Sequence, residues 1–148
     1  MKIALGSDHA SFELKEYIKS ELGKMGHEVS DLGADSEKSV DYPDYAAKVC
    51  REIKAKKADY GILFCGSGLG MSITANKFRG IRAALCNDLY LASMARRHNN
   101  ANILVMGGRV VGKGLAVEIV KIFLTTAFEG GRHQDRLDKV AKIENDEL

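Results

Sequence analysis

The chain is 148 residues long, 45% hydrophobic and 28% charged, with a net charge of +2, a balance that suits one soluble domain over residues 1–148 with a core of its own. The charges are spread along the chain, so no basic field or arm points to nucleic acid, and no apolar run approaches the length of a membrane span. Cys50, Cys65 and Cys86 form no CxxC pair, which argues against a disulfide framework, a zinc site or a dithiol redox centre. Short apolar runs then alternate with longer segments of helical period. Lys2–Gly6 reads as a buried strand, with no secretory leader before it, so the cytoplasm is the expected location. Leu14, Tyr17, Ile18, Leu22 and Met25 share one face of a helix, which Gly26 can end in a left-handed conformation. Residues 28–32 predict a second strand. Pro43 suits the first turn of a helix whose stripe is Ala46, Val49, Cys50 and Ile53. Residues 60–65 form a third strand and residues 69–77 a helix. Residues 81–86 form a fourth strand, followed by a helix to Arg97, and residues 102–106 a fifth. Leu115, Ile119, Ile122 and Phe123 face one side of the next helix. After Gly130-Gly131 a final amphipathic helix carries Leu137, Val140 and Ala141.

About five strands alternating with helices predict an α/β fold: a three-layer, doubly wound, Rossmann-like parallel sheet, plus a C-terminal helix. The strand order expected from five-stranded precedents is 2-1-3-4-5. Its functional rim lies at the carboxyl ends of the strands, where Asp8-His9, Cys65 with Gly66-Ser67-Gly68-Leu69-Gly70, and Arg109 all fall.

The Gly66–Gly70 run gives backbone amides unobstructed approach to an anion, reinforced by the start of a helix. Without a ligand it is a tight strand-to-helix turn. It is neither a P-loop nor a dinucleotide loop, since GxxxxGK[ST] is absent and GxGxG follows the third strand rather than the first. A low-molecular-weight phosphatase loop would need Arg at position 71, which is Met. Cys65 is either a core thiol or a base or nucleophile favoured by the adjoining helix start. Asp8 can cap a helix, and His98 can complement a helix C-terminus. Arg132 and Arg136 lie one turn apart; they either share an anion or pair with Glu129, Asp135 or Asp138.

Six segments together resemble the type B ribose-5-phosphate isomerases. They are Gly6-Ser7-Asp8-His9-Ala10, Asp41-Tyr42-Pro43-Asp44-Tyr45-Ala46, and Cys65-Gly66-Ser67-Gly68-Leu69-Gly70 continuing through Ala75-Asn76-Lys77; then Gly80-Ile81-Arg82-Ala83, His98-Asn99-Asn100-Ala101-Asn102, and Gly130-Gly131-Arg132-His133 with Arg136. Each is weak alone, but six in this order are specific. The resemblance implies interconversion of ribose 5-phosphate and ribulose 5-phosphate through an enediolate, with no metal or organic cofactor. It implies Cys65 as the base and His98, with Asp8, assisting ring opening. Ser67 and the backbone of Gly66, Gly68, Leu69 and Gly70 hold the enediolate oxygens. His9, Arg132 and Arg136 bind the phosphate, with Arg109 a further candidate, and Tyr42 and Asn99 contact the sugar. Some relatives use a Glu one position past the glycine run, where this chain has Met71. The superfamily also contains galactose-6-phosphate isomerase subunits and allose-6-phosphate isomerases, so a six-carbon sugar phosphate is the alternative substrate. A non-catalytic anion-binding module is the other alternative.

The partner expected from the resemblance is a second copy, in a homodimer or homotetramer with composite sites. The sheet geometry points the same way. His98 and Asn99 precede the fifth strand and fall at the amino rim, whereas Asp8 and Cys65 end their strands at the opposite one.

Overall fold

The computed structural model describes residues 1–147. Five strands, β1 (Lys2–Ser7), β2 (Glu28–Asp31), β3 (Tyr60–Cys65), β4 (Ala83–Leu85) and β5 (Ile103–Gly107), form one sheet in which every neighbouring pair is parallel. Six helices accompany them: α1 (Phe12–Lys24), α2 (Tyr42–Lys54), α3 (Leu69–Ala75), α4 (Leu89–Arg97), α5 (Lys113–Thr125) and α6 (Arg132–Glu144). Side chains alternate across each central strand, so both faces of the sheet need cover. Ile3, Leu5, Ile62, Phe64, Leu104 and Met106 bury against α1, α4 and α5. Ala4, Leu63, Cys65, Ile103 and Val105 bury against α2 and α3. The result is the three-layer α/β sandwich expected from the sequence.

The strand order is 2-1-3-5-4, which corrects the expected 2-1-3-4-5. The reason lies in the two last strands. All five residues of β5 are buried, a continuous Ile-Leu-Val-Met-Gly run that needs a neighbour on each side. The three residues of β4, Ala83-Ala84-Leu85, are only half-buried and short, which suits an edge. Three smaller expectations also change. The helix after β3 stops at Ala75 rather than Lys77. Leu115 on α5 is 42% exposed, although Ile119 and Phe123 of the same predicted face are fully buried. The apolar stripe of α6 is not packed into the core: Val140 is 44% exposed and Ala141 is exposed.

One buried ionic cluster fixes the loop behind the functional rim. Lys15 is fully buried, and its Nζ donates to Glu16 at 2.7 Å and to both Asp31 oxygens at 2.7–2.8 Å. Lys19 and the Gly33 N–H also donate to Asp31. The Gly33 carbonyl in turn accepts from the Ser7 N–H, next to Asp8. Burial pushes the Asp31 carboxyl up, but Lys15, Lys19 and Gly33 overcome it and hold it down at about 2. The cluster's stability is therefore complete above the ordinary carboxylate pKa and is lost as pH falls through about 2. Asp31→Asn leaves the Lys15 ammonium with Glu16 alone and should cost about 3 kcal/mol at neutral pH. Urea unfolding checks this, and the gap to wild type should close between about pH 4 and pH 2. A gap that persists in acid would show that another group carries the stability.

Candidate active site

Two groups of side chains stand at opposite ends of the sheet. The first lines a cavity of about 390 Å³ at the carboxyl ends of β1, β3 and β5, with Asp8, His9, Tyr42, Cys65, Gly66, Ser67, Gly70 and Arg109 on its walls. The strand register brings these ends level: Ser7 pairs with Phe64 and Cys65 with Gly107. The Gly108 N–H donates to the Cys65 carbonyl and the Arg109 N–H to the Gly66 carbonyl, which ties the two loops together.

Asp8 both caps and lines. Its Oδ1 accepts from the Ala10 N–H at 3.0 Å, holding a single 3-10 turn over His9–Ser11. His9 Nδ1 accepts from the Val40 N–H at 3.2 Å, which leaves Nε2 to carry the ring proton of the neutral imidazole. The Ser67 hydroxyl accepts from the Leu69 N–H at 3.2 Å and keeps its own hydrogen for donation.

Two glycines in this run are constrained, one by the backbone and one by a neighbouring ring. Gly68 has φ +82°, and a Cβ there would stand 2.4 Å from Leu85. A Cβ on Gly70 would stand 2.7 Å from the Tyr42 ring, so Tyr42 can lie directly over the turn. Gly68 and Leu69 shape the turn but do not line the cavity. Helix α3 is only seven residues long, so any anion binding here rests on local amides more than on a helix dipole.

Cys65 is 4% exposed and is the cavity's cysteine. Cys50 and Cys86 lie in the core, where burial pushes their thiols up to about 11 and about 12 and keeps them protonated. Met71 is fully buried among apolar side chains and offers no group to the cavity.

The second group lies at the amino end of the sheet and contains the remaining predicted residues: His98, Asn99, Arg132 and Arg136. His98 ends α4, five residues before β5 begins. β5 spans five residues at ~3.3 Å each, so about 16 Å of strand separates the two rims. The chain alone does not bring the two groups together. Arg82 holds the Asn99–Asn100 segment by donating to both carbonyls. Asn99 opens onto a separate cavity of about 420 Å³ beside Leu137 and Val140 of α6.

Sequence reasoning missed two members of this group. The His133 ring stacks on His98, with centroids 4.2 Å apart and planes 11° apart. Glu129 Oε2 stands 3.8 Å from His98 Nε2 and 3.4 Å from His133 Nε2. The spacing of Glu129 and His133 about Gly130-Gly131 was the available signal, but their meeting with His98 depends on where the start of α6 lands beside the end of α4. The hydrogen bond from Arg97 holds the Glu129 carboxyl below its usual range. Burial first, then His98 and Arg132, lower the pKa of His133. These imidazole and carboxylate atoms lie within 4.8 Å of one another. Arg97 occupies the carboxylate, and Arg132 and Arg136 press on His133, so the charge of this end suits an anion better than a cation. Of the three acids that could quench the two arginines, Glu129 is engaged by Arg97 and Asp138 by Gln134, which leaves Asp135.

Comparison with known proteins agrees with the motifs. A family model described as Ribose/Galactose Isomerase matches residues 3–140. The chain is 48% identical over 143 residues to ribose-5-phosphate isomerase B of Escherichia coli (strain K12), covering 97% of this chain and 96% of that one. A solved structure of ribose-5-phosphate isomerase B from Clostridium thermocellum shares 50% identity at TM-score 0.98, over 100% of both chains. Ribose-5-phosphate isomerase B from Mycoplasma genitalium, solved with bound ribulose-5-phosphate, shares 40% identity at TM-score 0.92, over 97% of this chain and 96% of that one.

Proposed function

The chain belongs to the ribose/galactose isomerase family, and from that premise we propose that it interconverts ribose 5-phosphate and ribulose 5-phosphate in a site built from the two groups of different copies. The carrying observation is a thiol, Cys65, set in one cavity with Asp8, His9, Arg109 and the Gly66–Gly70 turn.

The chemistry follows from these parts. Cys65 as thiolate takes the C2 hydrogen of the open-chain aldose as a proton. The released electron pair forms the C1–C2 double bond, and O1 gains negative charge. Ser67 and the amides around Gly66–Gly70 are the donors for that charge. A proton passes from O2 to O1, and Cys65 returns its proton to C1, giving the ketose. His98 and Asn99 of a second copy, with Asp8, assist ring opening and grip the sugar, over which Tyr42 lies. His9 and Arg109, with Arg132 and Arg136 of the second copy, hold the phosphate. That remote grip supplies binding energy for orienting C1 and C2.

Assembly of two copies is supported by the ~16 Å between the rims. It is supported also by apolar side chains left open on the surface, Ile73 at 62%, Tyr90 at 71% and Ile143 at 60% exposed. Among the described residues no helix is long and apolar enough to cross a membrane.

Incubating the protein with ribose 5-phosphate and assaying ketose tests the activity directly; no ketose would refute it. Arg132→Ala and Arg136→Ala should each raise KM with a smaller effect on kcat, since a charge-assisted hydrogen bond contributes about 1.5–3 kcal/mol. Unchanged KM in both variants would remove α6 from the phosphate site.

A further inference from the structure

Helix α6 buries one side chain, and that side chain is an imidazole. His133 is 6% exposed, while the rest of the helix is exposed or half-buried. An anchor with no other duty would be aliphatic, because burying a polar ring costs desolvation that an apolar one does not. What His133 touches is His98, face to face. Glu129 completes the contact, and it is itself fixed twice to the residue before His98: Arg97 Nε donates to its Oε1 at 2.5 Å, and its N–H donates to the Arg97 carbonyl at 3.0 Å.

We infer that His133 and Glu129 are positioning residues for His98, the stacked ring setting the plane of its imidazole and the carboxylate setting its direction. The inference rests on the proposed role of His98 in opening the sugar ring. The charged groups facing the pair are Glu129, Arg97, Arg132 and Arg136. Burial first, then the neighbouring His98 ring and the Arg132 and Arg136 charges, disfavour a proton on His133, so it serves as a neutral flat partner. Arg97 keeps Glu129 ionised. Proton transfer is then left to His98, whose ring cannot turn away without losing the stack and its alignment toward the Glu129 carboxylate 3.8 Å away.

The test separates ring opening from proton transfer at carbon. Ribose 5-phosphate closes into a furanose. Ribulose 5-phosphate cannot, because its O5 carries the phosphate. Turnover of the aldose therefore includes ring opening, whereas exchange of the ribulose 5-phosphate C1 hydrogen with solvent deuterium needs only the base. His133→Ala should lower aldose turnover about 100-fold, as expected for a misplaced catalytic group, and leave the exchange nearly intact. His133→Phe keeps a flat ring and should recover most of the turnover. Glu129→Gln should lower the turnover and spare the exchange. Equal loss in both measurements, no loss in either, or a Phe variant no better than Ala would overturn the inference alone. No ketose from ribose 5-phosphate with the wild type would overturn the isomerase reading, and this inference with it.

Discussion

Cys65→Ala should reduce turnover of ribose 5-phosphate by about 1000-fold, within the range that a positioned general base contributes, while the fold and phosphate binding persist. The fold should persist because the substitution removes one sulfur from a buried position on the wall of a cavity, and the surrounding strand register does not depend on it. The loss should fall on kcat, since the thiol acts on carbon rather than on the phosphate. Solvent deuterium exchange into ribulose 5-phosphate should disappear as well, which distinguishes this variant from those at His133. An alkylating reagent should inactivate the wild type through Cys65, with substrate protecting it. Cys50 and Cys86 should react slowly, since burial keeps both protonated and out of reach. A Cys65→Ala protein with near-normal kcat would remove the thiol from the mechanism and pass the base role to Asp8 or His9 on the same cavity wall, because position 71 is a buried Met.

The local features of the fold were legible because each is written in a few adjacent residues. The third strand is found at Tyr60–Cys65, as its unbroken apolar run predicts. Asp88 caps α4 through its side chain, accepting from the Leu91 N–H. The glycine turn was legible for a similar reason, since the positive φ at Gly68 favours glycine there; the approach of Tyr42 to Gly70 is a non-local contact that the run does not encode. What the sequence withheld is non-local. Whether β4 or β5 takes the edge depends on where each crossover lands, and only the burial of all five β5 residues against the half-burial of Ala83-Ala84-Leu85 separates them. The amphipathic stripe on α6 gives no place for the helix; Val140 stays 44% exposed, beside the cavity onto which Asn99 opens, because the two layers beside the sheet are already filled by the other five helices. His133 was visible only as part of a motif. Its stack on His98 joins the start of α6 to the end of α4, which no periodicity encodes.

The proposed division of the site between copies has a consequence larger than any single substitution. Cys65→Ala damages the carboxyl-end group of its own chain and leaves that chain's His98, Asn99, Arg132 and Arg136 intact. His98→Ala does the reverse. If each site takes its carboxyl-end group from one copy and its amino-end group from the other, a mixed dimer carries one doubly damaged site and one fully intact site. The two homodimers, assayed on ribose 5-phosphate, should each be nearly inactive. Unfolding and refolding them together at equal concentration makes mixed dimers about half of the total by random pairing, so activity should return to about a quarter of wild type. Mass spectrometry of the intact assemblies verifies the exchange. Recovery near that level would establish that Cys65 and His98 act in one site across a subunit boundary. Verified mixed dimers with no more activity than the parents would contradict it, and would mean that both groups act within a single chain despite the strand that separates them.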